Sequence, residues 1–141
     1  MRVKQYYPVI QSESVTETAD FYKRHFGLRA AFEADWYVHL QSQADPSVNL
    51  AVVASDHETI PEESRGASKG MILNFEVEDV DAVDERLRSD GVPVAKALVS
   101  EPFGQRHAIY RDPNGVLIDV ITPIPPSEEF LTQYAADAVP A

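Results

Sequence analysis

Cysteine is absent from the 141-residue chain, which excludes disulfide bonds, thiolate metal sites and cysteine nucleophiles. Positive charge is scarce: 12 lysines and arginines stand against 23 aspartates and glutamates, for a net charge of −11. That balance disfavours nucleic acid and anionic membrane surfaces as partners and favours cationic ligands. No apolar run approaches the roughly 18 residues a membrane span needs. The opening Met-Arg-Val-Lys-Gln-Tyr-Tyr lacks the apolar segment of a secretion signal, so a cytoplasmic location is the expectation. Also missing are the Gly-x-Ser-x-Gly elbow, the P-loop, the dinucleotide fingerprint and the His-Glu-x-x-His metal motif. The stretch "DVDAVDERLRSDG" lacks the glycine that a calcium loop carries at its sixth position, and reads better as a capped helix.

What is present repeats. Residues 6–12 have the composition of a strand. Ser14 and Glu17 then stand at the spacing of a capping box, and Val15, Ala19, Tyr22 and Phe26 recur at helical spacing up to Gly27, which is placed to end the helix. Strand-like runs follow at 28–33, 36–42 and 48–54. The same order returns: a strand at 71–77, a helix with Val80, Val83 and Leu87 capped by Asp79 or Asp81 and stopped by Gly91, then strands at 92–97, 106–111 and 116–122. The offset is 65 between Ser14 and Asp79, 64 between Gly27 and Gly91, and 67 between Asp45-Pro46 and Asp112-Pro113. A nearly constant offset predicts an internal duplication of a βαβββ unit. The modules are placed at 5–56 and 71–124, joined by a charged linker at 57–70 and followed by a tail at 125–141 with a possible short helix.

Asp112-Pro113-Asn114-Gly115 suits a turn, so 106–120 reads as a β-hairpin. Its second arm, Val-Leu-Ile-Asp-Val-Ile, carries a single carboxylate, Asp119, among apolar side chains. Such a group is costly unless it is paired, solvated or bound to something.

The duplicated modules, together with "DFYKRHFGL", "FEVEDVDAVDERL" and "GQRHAIYRDPNGVLIDV" in that order, resemble the vicinal oxygen chelate superfamily of glyoxalases, extradiol dioxygenases and bleomycin-resistance proteins. The resemblance covers roughly residues 5 to 124 and implies an α+β fold in which two βαβββ sheets form a U-shaped cleft. It implies a homodimer too, in keeping with the unpaired edges of open four-stranded sheets. In metal-dependent members the ligands are His, Gln or Glu on the first and fourth strands of each module. Those positions fall here on Tyr7, on Ile72, on Ala51 or Val52, and on Asp119. One carboxylate does not hold a divalent transition metal, so no metal or other cofactor is expected.

Strand alternation directs Tyr7, Gln11, Asn74, Glu76 and Asp119 toward the implied cleft. His39 and His107 lie on the third strands at nearly equivalent positions. His107 meets Asp119 if the hairpin pairs Tyr110 with Val116; a shift of one residue brings Ala108 there instead. Phe32, Trp36, Tyr37, Phe103 and Tyr110 are placed to rim the cleft, where aromatic faces suit a flat or cationic ligand. The expected function is metal-free binding of a small molecule, of the bleomycin-resistance type, sequestering a cationic or aromatic compound. Its ligand-binding set is Tyr7, Gln11, Trp36, His39, Asn74, Glu76, His107 and Asp119, with Trp36 and Tyr7 stacking and Asp119 as anchor. The alternative is a glyoxalase- or dioxygenase-like enzyme, with shifted metal ligands among His39, His107, Glu76 and Asp119, or with Asp119 or Glu76 as general base.

Overall fold

The structure, a computed structural model, describes residues 1–141. The chain forms two compact units, Met1–Gly70 with Pro113–Gly115, and Met71–Asp112 with Val116–Ala141. Each is a βαβββ module, and the α+β class expected from the duplication is the class observed. No helix is long and apolar enough to cross a membrane.

In the first unit, β1 (Val9–Ser12), α1 (Val15–Phe26), β2 (Leu28–Glu33), β3 (Tyr37–Ser42) and β4 (Asn49–Ala54) build a sheet of order β1-β4-β3-β2. β1 runs parallel to β4, which the α1 crossover permits, and the other pairs are antiparallel. β1 starts at Val9, later than the composition of 6–12 suggests. Pro8 has no N–H to donate, and its carbonyl accepts from Ala51 N at 3.0 Å. The capping box is not formed. Ser14 occupies the N-cap without a side-chain bond, while Ser12 Oγ accepts from Ser14 N at 2.9 Å. Gly27 ends α1 in the left-handed region (φ 63°), a conformation that costs glycine little. Val15, Ala19 and Tyr22 of α1 bury against the sheet face carrying Ile10, Val38, Leu40 and Val52. Each large aliphatic side chain enclosed there contributes roughly 1.5–3 kcal/mol.

The second unit repeats the plan with β5 (Ile72–Glu76), α2 (Val80–Ser89), β6 (Val94–Glu101), β7 (Gln105–Arg111) and β8 (Leu117–Pro123), in the order β5-β8-β7-β6. A short helix, α3 (Glu128–Leu131), lies in the tail. Asp79, not Asp81, caps α2 by accepting from Ala82 N at 3.1 Å; Asp81 instead takes Arg106 at 2.7 and 2.9 Å. Val80 and Leu87 of α2 bury with Ala108, Tyr110, Ile118 and Val120. Tyr110 is therefore a core residue and not a rim residue. It pairs with Ile118, whose side chain shares the helix-covered face, and its hydroxyl donates to Asp84 of α2. Asp84 accepts in addition from Arg88 Nε at 2.9 Å. Burial and the neighbouring Asp84 push the Tyr110 phenol well above its ordinary pKa. β6 extends to Glu101, past the expected end at residue 97, and its pairing with β7 is interrupted on both sides of Lys96. Irregular pairing of this kind is common on an edge strand.

Candidate functional site

The pairing of β7 with β8 fixes which side chains meet on the open face of the second sheet. Tyr110 lies opposite Ile118, and Ile109 opposite Asp119, so neither of the two expected registers is adopted. A displacement of two residues from the Tyr110–Val116 pairing leaves every side chain on the same face. His107, paired with Ile121, thus sits diagonally to Asp119. Its Nδ1 lies 2.8 and 3.1 Å from the two carboxylate oxygens of Asp119, and its Nε2 lies 3.0 Å from Glu101 Oε2. Lys96 Nζ closes the chain at 3.1 Å from the same Glu101 oxygen. Carboxylate oxygens thus face both ring nitrogens of His107. His107 and Lys96 hold the Glu101 carboxyl below the usual carboxylate range. Asp119, 7% exposed, is therefore satisfied internally, by its diagonal neighbour. Asn74 pairs with Asp119 across β5 and β8 and is exposed, and Glu76 ends β5 opposite Ile121.

The open face of the first sheet carries a different set. The Tyr7 and His39 rings pack edge-on with centroids 4.6 Å apart, and His39 Nε2 bonds Asn49 Oδ1 at 2.9 Å. Burial and a hydrogen bond with Tyr7 raise the Tyr37 phenol pKa. Gln11 is committed to the linker: its Nε2 donates to Ser64 O at 3.0 Å and its Oε1 accepts from Gly66 N at 3.0 Å. Trp36 stacks on His57 with centroids 4.0 Å apart and planes 11° from parallel. Phe32, Trp36 and Tyr37 line a cavity of about 420 Å³ together with Val9, Val53, Thr59 and Ile60. No charged side chain lines it. The linker's contribution was not anticipated. The available signal was Ile60, the one large aliphatic residue in the charged stretch 57–70. Phe103 belongs to the second unit, edge-on to His107 and Phe130.

The registers decide which positions of the two modules correspond. Val9 pairs with Ala51 as Asn74 pairs with Asp119, and Tyr37 pairs with Val53 as His107 pairs with Ile121. Ala51, not Val52, is therefore the mate of Asp119, and Tyr37 is the mate of His107. His39 corresponds to Ile109, so the two histidines are offset by one strand repeat. At the four positions where the family resemblance implies metal ligands stand Tyr7, Ala51, Ile72 and an Asp119 whose oxygens both face His107. These residues do not fit a divalent transition metal, which in catalytic sites takes three protein ligands.

Two βαβββ modules with open sheet faces define a glyoxalase-like α+β protein. The chain belongs to the Glyoxalase/Bleomycin resistance protein/Dioxygenase superfamily, whose family model matches residues 5–120. Comparison with curated proteins finds no match. Among solved structures, a superfamily member from Sphaerobacter thermophilus is similar, with 18% identity, a TM-score of 0.72, and 86% of this chain and 98% of that one covered. TioX from Micromonospora sp. ML1 aligns at 18% identity and TM-score 0.71, covering 86% of this chain and all of its own. A lactoylglutathione lyase from Agrobacterium tumefaciens aligns at 18% identity and TM-score 0.67, covering 86% and 96%. At such identities the likeness is one of fold.

Proposed function

We propose that the protein binds a small planar aromatic compound without a metal, sequestering it in the manner of the bleomycin-resistance members of its superfamily. The observation that carries this reading is the 420 Å³ cavity with Phe32, Trp36 and Tyr37 as walls and no charged lining. Aromatic walls reward a flat ring by offset or edge-on packing, worth roughly 0.5–1.5 kcal/mol per pair beyond the area buried. The His57 ring already lies parallel to the Trp36 indole, so one wall is held in place before a ligand arrives. Trp36 is the sole tryptophan, and its fluorescence reports on this cavity directly. Titration with a panel of planar aromatic antibiotics and dyes should give saturable quenching for at least one compound. Calorimetry with that compound should show roughly tenfold weaker binding to Trp36→Ala. Equal affinity for the wild type and Trp36→Ala, or no quenching across the panel, would refute the reading.

A further inference from the structure

The tail of the second unit folds back over the β6–β7 turn. Ile124 N donates to Gly104 O at 3.0 Å, Ser127 N donates to Pro102 O at 2.8 Å, and the Tyr134 hydroxyl donates to the Phe103 carbonyl. The Phe130 ring lies edge-on to Phe103 with centroids 6.2 Å apart. Gly104 makes this closure possible. Its φ of 112° suits glycine, and a Cβ there would come within 2.7 Å of the Tyr134 hydroxyl and 3.2 Å of Ile124 O.

Under the tail lies a cavity of about 290 Å³, lined by Glu76, Gln105, Pro123, Tyr134, Ala138 and Pro140. It shares no residue with the aromatic cavity of the first unit. Glu76 ends β5 and Gln105 begins β7, and the register places both side chains on the open face of the sheet. Neither side chain is engaged by another residue, and Glu76 is the one charged group in the lining. We propose that this cavity is a binding site for a small primary alkylammonium ion. The ammonium has three N–H donors and no acceptor. Three acceptors line the cavity: the Glu76 carboxylate, the Gln105 amide oxygen and the Tyr134 oxygen, which keeps lone pairs while its proton goes to Phe103. The prolines and Ala138 offer apolar wall to a short alkyl chain. The volume of about 290 Å³ equals that of about ten water molecules, ample for such an ion.

The test uses the full chain and n-butylammonium as probe, followed through the backbone amide NMR signals of Gly104 and Gln105. Saturable shifts of these signals are expected at probe concentrations up to about 10 mM. Glu76→Gln keeps the shape and removes the charge, and should weaken binding at least tenfold; Glu85→Gln on the exposed face of α2 should leave it unchanged. Neutral n-pentanol should bind at least tenfold more weakly than the amine. Absence of shifts at Gly104 and Gln105, or equal binding to Glu76→Gln, would overturn the site. Equal affinity for Nα-acetyl-lysine N-methylamide would overturn its assignment to a small free amine. Tryptophan fluorescence does not enter these readouts, so this site and the aromatic one succeed or fail separately.

Discussion

Asp119→Ala removes a carboxylate whose oxygens lie 2.8 and 3.1 Å from His107 Nδ1, on a strand where neither partner is more than 7% exposed. A hydrogen bond to a charged group contributes roughly 1.5–3 kcal/mol, and the upper part of that range applies where water cannot replace the lost partner. His107 retains Glu101 on its other nitrogen, so its ring is not stripped of partners altogether. The expected loss is about 2–3 kcal/mol of unfolding free energy. At roughly 4 °C per kcal/mol for a domain of this size, that corresponds to a fall in Tm of about 8–12 °C. Asp119→Asn keeps the shape and one acceptor oxygen but not the charge, and should lose about half as much. Urea denaturation of both variants, with His107→Gln and the double variant Asp119→Ala/His107→Gln, isolates the pairwise contribution. A coupling energy near zero, or a loss below about 0.5 kcal/mol for Asp119→Ala, would refute the argument that His107 is what satisfies the buried carboxylate.

Tyr110→Phe deletes the hydroxyl that donates to buried Asp84 and should cost about 1–2 kcal/mol in the same assay, Arg88 keeping the other Asp84 oxygen paired. The raised Tyr110 pKa carries a sign: the unfolded phenol ionises near its ordinary value of 10.0, whereas the folded one resists, so stability falls as pH rises beyond 10. Alkaline unfolding of Tyr110→Phe should accordingly show a shallower decline. Glu101 carries the opposite sign. Its folded pKa lies below the ordinary 4.5 because of His107 and Lys96, so its contribution is present above that value and is lost as pH falls through the folded pKa. Glu101→Gln should flatten the acid limb of the stability profile; an unchanged limb would show that the His107 and Lys96 contacts do not act on Glu101 in solution.

The helices and strands were legible because their patterns are local. Helical spacing from Val15 to Phe26, Gly27 at the stop and Asp112–Gly115 at the turn each constrain only a few neighbouring dihedrals, and the near-constant offset between the halves made the duplicated βαβββ plan visible. Short-range chemistry was less determinate. Both Ser14 and Asp81 have the residue type of a cap, yet Ser14 makes no side-chain cap bond and Asp81 pairs with Arg106 across to β7. The partner of Asp119 required the tertiary structure, because alternation in 106–111 and 116–122 is satisfied equally well by registers differing by two residues. Asp112 N bonding Val116 O at 3.0 Å leaves a three-residue loop and sets Ile109, not His107, opposite Asp119. Glu101 reaches His107 only because β6 continues past its irregular pairing around Lys96, which no periodicity announces. Likewise Ile60 and Thr59 wall the aromatic cavity through linker packing on β1, anchored by Gln11, a contact more than 50 positions apart in the chain. Periodic burial specifies which face of each strand is apolar; which polar groups meet across strands is decided by loop length, pairing interruptions and the path of the linker.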